Sequence, residues 1–228
     1  MTEPTPAKGL YYKESRSGRS FQSRWDEIRP LADLRPSDHV LDVGCAEGLI
    51  TLEVARLVER AHGIDVHPAR VAEANRLAAE RGLPNATFEL ASVGDYPFEP
   101  LSFDVTLFMA VWGKPVDDRG TQRTVGTDEL RRILGATRRQ VVMRVGVQQQ
   151  ARLERRLEEI LDACEQSDFD ALCFSRPGRK RETGEAGGNL LIAHRRGTDA
   201  RVDELPRLAL IPTSRLAGHP VVASRTVG

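Results

Sequence analysis

Apolar positions recur along this chain with two alternating periods, and the switches between them predict an alternation of strands and helices. The first 20 or so residues are polar, with Pro4, Pro6, Gly9 and Gly18, and read as a loose arm. Residues 21–34 place Trp25, Ile28 and Leu31 at three-residue spacing, one face of a helix. The mostly apolar run at residues 39–43 reads as a buried strand. A helix over residues 49–60 follows, its stripe Ile50, Val54, Leu57 and Val58. A second strand, 61–66, leads to a helix opening at Pro68 and closing at Gly82, the expected placement of Pro inside the start and Gly past the end. Strands follow at 87–90 and 103–109. Thr127 is placed to cap a short helix carrying Leu130, Ile133 and Leu134, with Asp128 and Glu129 in its first turn. A fifth strand at 140–147 precedes a long helix marked by Leu153, Leu157, Ile160, Leu161 and Cys164.

Beyond that helix the alternation stops. Residues 171–175 and 189–196 have strand character, and the segment joining them offers no helical pattern, so they read as an antiparallel hairpin. Five strand–helix units and a hairpin predict a three-layer α/β fold with a seven-stranded sheet, mainly parallel, one strand reversed. Residues 199–228 hold Pro206, Pro212 and Pro220 without helical periodicity and read as a tail, with strand propensity at 208–211 and 221–223. The expected organisation is an arm and cap helix over 1–36, one domain over 37–198 and the tail.

Composition narrows the function classes. The 228 residues suffice for one domain with a substantial core, and the formal net charge of +0 argues against wholesale attraction to nucleic acid or membrane. Only Lys8, Lys13, Lys114 and Lys180 are lysines among 33 basic residues, an arginine excess in keeping with genome composition. Cys45, Cys164 and Cys173 are too few and scattered for a disulfide framework, and with the five histidines they form no metal-ligand spacing, so no metal is expected. Neither a signal peptide nor a membrane span is legible, and a soluble, cytoplasmic protein is expected. The oligomeric state is left open, a homodimer included.

The chemistry concentrates in Val40-Leu-Asp-Val-Gly-Cys-Ala-Glu-Gly48, a strand running into a turn of small residues and then at once into a helix. Small residues let a ligand approach the backbone, and a helix start offers unpaired N–H groups. Asp42 stands two residues before Gly44. Asp65 ends the second strand 23 residues later, where a carboxylate can accept both hydroxyls of a ribose. The plainer role for Asp65 is a strand-end acid at the entrance to the Pro68 helix.

VLDVGCAEG and HGIDVHP resemble the first two motifs of the class I S-adenosylmethionine-dependent methyltransferases, with the resemblance covering about residues 36–196. Dehydrogenases usually space their glycines G-x-G-x-x-G, whereas this turn has Gly44, Ala46 and Gly48 behind an acid. The resemblance implies a Rossmann-like fold and S-adenosylmethionine as cofactor. It sets Gly44, Cys45, Ala46 and Gly48 against the methionine part, Asp42 at its amino group, Asp65 at the ribose and Val66 beside the adenine. The family's third contact is an acid after strand three, at the adenine amino group. Matching Tyr96-Pro97-Phe98 to the family's apolar-Pro-Phe run puts Ser92 there, with Val93 beside it. Asp95 could replace that acid only with a rearranged loop.

Methyl transfer is an in-line displacement, so the acceptor site belongs after strand four, where the chain reads Phe108-Met-Ala-Val-Trp-Gly-Lys-Pro115. Trp112 and Lys114 are the acceptor-pocket candidates there, and Arg24 and Trp25 in the cap helix, with Tyr11 and Tyr12 upstream. Each has a plain alternative, packing for the tryptophans and solvation for Lys114. The Asn/Asp-Pro-Pro-aromatic motif of exocyclic-amine methyltransferases is absent, no cysteine suits attack on a pyrimidine, and no general base is identifiable. The expected acceptor is a small molecule modified at oxygen or nitrogen. Two alternatives stand beside it. RNA could meet the local surplus of four positive charges around Arg176, Arg179, Lys180, Arg181, Arg195, Arg196 and Arg201. A non-catalytic protein of the same fold is the other.

Overall fold

The computed structural model describes residues 21–109, 125–145, 150–174 and 189–199. Its strands are β1 (His39–Val43), β2 (Arg60–Asp65), β3 (Ala86–Leu90), β4 (Phe103–Met109), β5 (Thr137–Val145), β6 (Phe169–Phe174) and β7 (Asn189–Arg195). They form one seven-stranded sheet in the order β3-β2-β1-β4-β5-β7-β6. The pairs from β3 to β5 are parallel, and β7 runs antiparallel to both β5 and β6, the expected single reversed strand.

Helices α1 (Phe21–Ile28), α2 (Leu49–Ala55) and α3 (Pro68–Glu80) cover one face, and α4 (Thr127–Ala136) and α5 (Gln150–Gln166) the other. The two-residue strand period sorts the core accordingly. Val40, Val105, Leu107 and Val142 meet the first set of helices, whereas Leu41, Val43, Phe108, Val141 and Met143 meet the second. Strands covered on both faces explain the nearly continuous apolar runs that made β1, β4 and β5 legible.

Three expected elements differ. The first helix ends at Ile28 rather than at residue 34, and Leu31 is buried from the turn that follows, where the Leu31 N–H donates to the Ile28 carbonyl at 2.9 Å. The helix after β1 ends at Ala55 rather than Arg60, because the Asn85 amide donates to the Ala55 and Val58 carbonyls at 2.7 and 3.1 Å and satisfies its C-terminal end. Leu57 is left exposed while Val58 still packs into the core. Thr127 is the first residue of α4 and not its cap. Gly126 takes that place, its N–H donating to the Glu129 carboxylate at 2.9 Å.

The segment between α1 and β1 is tied to the sheet by polar contacts. Gln140 on β5 accepts from the Asp33 N–H at 2.9 Å and donates to the Leu31 carbonyl at 3.0 Å. The buried Arg139 guanidinium donates to the Asp38 carboxylate at 2.6 Å and to the Asp33 carbonyl at 2.7 Å. Arg35 adds ion pairs to Asp33 and Asp199. This network fixes the approach of the chain to β1, and thereby of α1 onto α2.

Candidate functional site

The strand order reverses between β1 and β4, and a crevice at the carboxyl ends of the strands forms where connections diverge in this way. The turn after β1 lies at that point. Gly44, Ala46 and Gly48 all have positive φ, of 76°, 52° and 74°. Glycine takes that region without a steric cost, whereas Ala46 is strained there. The N–H groups of Gly44 and Cys45 both donate to the Ile64 carbonyl, at 2.8 and 3.0 Å, so the turn is bolted to the end of β2.

Asp65 is 6% exposed and completes that attachment. One carboxylate oxygen accepts the Ala46 N–H and the other the His67 N–H, each at 2.9 Å. The second contact is the strand-end role anticipated at the entrance to α3. Both functions can coexist, because each carboxylate oxygen keeps a further acceptor site for a ligand hydroxyl. The group is therefore held rigidly before a ligand arrives.

Asp42 is 3% exposed and points to the α2 face, where the Thr51 hydroxyl donates to it at 2.6 Å. Burial pushes its carboxyl up to about 6; the Thr51 hydrogen bond opposes the shift and the nearby Asp65 charge adds to it. A buried anion of this kind is costly alone and suits a cationic partner.

Three glycine-dependent contacts close the turn from beneath. A Cβ on Gly48 would lie 2.6 Å from Phe88 Cζ and 2.9 Å from Ala74 Cβ, and one on Gly63 would lie 2.8 Å from Cys45 Sγ. Phe88 thus fills the space that missing side chains leave. The Cys45 side chain is buried toward Gly63, which leaves its main chain for contact with a ligand, and burial raises its thiol above the usual range.

The loop after β3 begins beside Asp65, whose carbonyl accepts the Ala91 N–H at 3.1 Å. The Ser92 hydroxyl donates to the Asp95 carboxylate at 3.1 Å and accepts the Asp95 N–H at the same distance. Val93 is buried in the core, Ser92 and Val66 are partly exposed, and Asp95 is exposed. The structure ties Gly44, Cys45 and Ala46 to the end of β2 and to Asp65, with Asp42 on β1, Gly48 ahead of α2, and Val66, Ser92 and Val93 on the segments that follow β2 and β3. Trp25 is 5% exposed, packed with Ile28 and the α2 core, and Arg24 is partly buried on the same helix. Trp112, Lys114, Tyr11, Tyr12, Arg176, Arg179, Lys180, Arg181, Arg201 and the tail beyond residue 199 lie outside the described residues.

Sequence reasoning missed two residues that shape the turn, Thr51 and Phe88. Thr51 carries a signal, a hydroxyl among Ile50, Leu52 and Val54 on a helix that otherwise buries hydrocarbon. Phe88 acts across elements, against Gly48 and Gly63, and carries none.

A parallel α/β sheet whose switch point carries a small-residue turn and two strand-end acids defines a nucleoside-cofactor-binding domain. A family profile described as "Methyltransferase domain" matches residues 34–165. The chain belongs to that family, the S-adenosylmethionine-dependent methyltransferases of the Rossmann-like class I fold. It is 34% identical over 98 residues to a ubiquinone biosynthesis O-methyltransferase of Methylocella silvestris, 43% of this chain and 36% of that one. It is 33% identical over 78 residues to an uncharacterized RNA methyltransferase of Chlorobaculum tepidum, 34% of this chain and 16% of that one. The match thus spans about a third or less of either relative. The crystal structure of the [4+2]-cyclase SpnF shares the fold, with a TM-score of 0.62 at 19% identity, covering 81% of this chain and 85% of that one. Among the described residues no helix is long and apolar enough to cross a membrane.

Proposed function

We propose that this chain transfers a methyl group from S-adenosylmethionine to a small-molecule acceptor, at oxygen or nitrogen. The observation that carries the cofactor assignment is the Asp65 carboxylate, fixed by the Ala46 and His67 N–H groups beside the positive-φ turn, with Asp42 buried nearby. The donor set fits the cofactor: free acceptor sites on Asp65 suit a ribose diol, and the Asp42 carboxylate suits an ammonium. Asp65, with Val66 beside it, would hold the nucleoside, and the Gly44–Gly48 turn with Asp42 the amino-acid part. Bound S-adenosylmethionine supplies a sulfonium methyl that is already electrophilic. The chain's share is then orientation and exclusion of water, with Asp42 ionised above about pH 6 to meet the ammonium.

A small acceptor is favoured by how the described arginines are used. Arg195 donates to the Thr137 and Leu134 carbonyls and lies over the Phe169 ring, and Arg196 pairs with Asp170 and Asp168. Arg56, Arg76, Arg131 and Arg138 likewise each face an acid. Charges engaged in this way have little left for phosphates. RNA is the second reading, supported by the likeness to the Chlorobaculum tepidum relative.

The test is transfer of labelled methyl from S-adenosylmethionine into a small-metabolite fraction and, separately, into bulk tRNA at low salt. Label in the metabolite fraction supports the proposal. Label confined to tRNA replaces the acceptor class, and no transfer to either, with cofactor bound, favours a non-catalytic role.

A further inference from the structure

The loop between β3 and β4 is held from outside by a side chain that the cofactor reading does not use. Arg132, on α4, is partly buried and turned toward this loop. One terminal nitrogen donates to the Val93 and Gly94 carbonyls at 3.1 and 2.6 Å, and the other donates to the Tyr96 carbonyl at 2.6 Å. The guanidinium also lies over the Phe98 ring, 5.1 Å from its centre, and Phe98 meets Tyr96 edge to face. A planar, always charged fork suits this task, because its donors lie in one plane and each can take a different carbonyl.

The loop so held has no regular hydrogen-bond ladder of its own. Around Ser92 its internal ties are those of one turn, Asp95 and Tyr96 N–H to the Ser92 carbonyl with the Ser92 hydroxyl on Asp95, and further along Phe98 N–H donates to the Tyr96 carbonyl and the Ser102 hydroxyl to the Glu99 carbonyl. That arrangement leaves Ser92 in a defined state. Its proton is committed to the Asp95 carboxylate and one acceptor site is taken by the Asp95 N–H, so the hydroxyl offers a remaining acceptor site and no donor. An exocyclic amine is complementary to such a group, and a carbonyl is not.

We propose that Arg132 is a positioning residue for the base end of the cofactor: by holding the carbonyls of Val93, Gly94 and Tyr96 it fixes the loop that presents Ser92, as an acceptor, to the adenine amino group. This rests on the reading that the crevice binds S-adenosylmethionine with its adenine beside Ser92. The family's usual device is an acid at this position. Here a neutral hydroxyl, polarised by Asp95 and held by an arginine on another helix, performs the same discrimination.

The experiment compares binding of S-adenosylhomocysteine and its inosine counterpart, S-inosylhomocysteine, by calorimetry, in the wild type, Arg132→Met, Arg132→Lys, Asp95→Ala and Asp65→Asn. Circular dichroism confirms that each variant is folded at the measuring temperature. The wild type is expected to prefer the adenine ligand by about tenfold, which corresponds to about 1.4 kcal/mol. Arg132→Met should shrink that ratio toward one, as should Asp95→Ala, which frees the Ser92 proton, and Arg132→Lys should restore part of it. Asp65→Asn should weaken both ligands by the same factor and leave the ratio intact. A ratio near one in the wild type overturns the proposal, as does an Arg132→Met protein that is less heat-stable but keeps the wild-type ratio. If the wild type binds neither ligand, the cofactor reading itself fails, a result distinct from the other two.

Discussion

Replacing Asp42 by asparagine should make the free protein more stable at neutral pH while weakening its hold on the cofactor. Burial raises the pKa of this carboxyl from 3.8 to about 6. A tenfold change in proton affinity is worth about 1.4 kcal/mol, so the ionised group costs the folded state about 3 kcal/mol. The sign follows from linkage. Below pH 3.8 both states carry the neutral acid and nothing is lost. Between about 4 and 6 the folded protein keeps a proton that the unfolded chain releases, so stability falls as pH rises. Above about 6 the cost is complete. Asparagine can still accept the Thr51 hydroxyl bond seen at 2.6 Å, and its amide protons need new partners at about 1 kcal/mol. A net gain of about 1–3 kcal/mol is expected at pH 8, with none near pH 4. His194 titrates the opposite way, since burial lowers it to about 4 and its contribution is lost as pH falls below about 6.5, but it is common to both proteins and cancels in the difference. Urea unfolding of both proteins from pH 4 to 8 measures this directly. A stability difference that does not change with pH, or a variant less stable at pH 8, refutes the account of Asp42.

Cofactor affinity should fall as pH drops through about 6, when the Asp42 carboxylate is neutralised, and the Thr51→Val variant, lacking the hydroxyl that opposes the shift, should lose affinity at a higher pH; calorimetry with S-adenosylhomocysteine across pH 5–8 reads both. Gly48→Ala should cost about 2–4 kcal/mol in urea unfolding, from positive φ and the collision with Phe88, and Phe88→Leu in the same chain should recover part of it. Arg139→Met should cost about 3–5 kcal/mol, because it leaves the Asp38 carboxylate buried without its guanidinium while Asp33 keeps Arg35; a loss below about 1 kcal/mol would show that the network beneath β1 contributes little.

The strands were legible because both sheet faces are covered, so β1, β4 and β5 read as apolar runs, and the hairpin of β6 and β7 because no helical pattern lies between them. The end of α2 was not, since it is set by Asn85, 30 residues away from the Ala55 carbonyl it satisfies. The same division runs through the site. Asp42, Asp65 and the turn lie on short consecutive segments with local signatures. Arg132 reaches the β3–β4 loop from 36–39 residues beyond it, and Phe88 contacts Gly48 from a different strand, so their roles are created by packing alone. Ser92 was singled out by the resemblance of Tyr96-Pro97-Phe98 to a family run, but its partnership with Asp95 appears only when the loop turns back on itself.

Binding of S-adenosylhomocysteine, with NAD as the competing ligand and Asp65→Ala as the control, tests the cofactor site most directly. Micromolar affinity for S-adenosylhomocysteine, little for NAD, and a loss of at least about tenfold in the variant are expected, in line with about 1.5 kcal/mol or more for a hydrogen bond to a charged group. Preference for NAD, or S-adenosylhomocysteine bound equally by both proteins, would contradict the assignment of Asp65 and the crevice built around it.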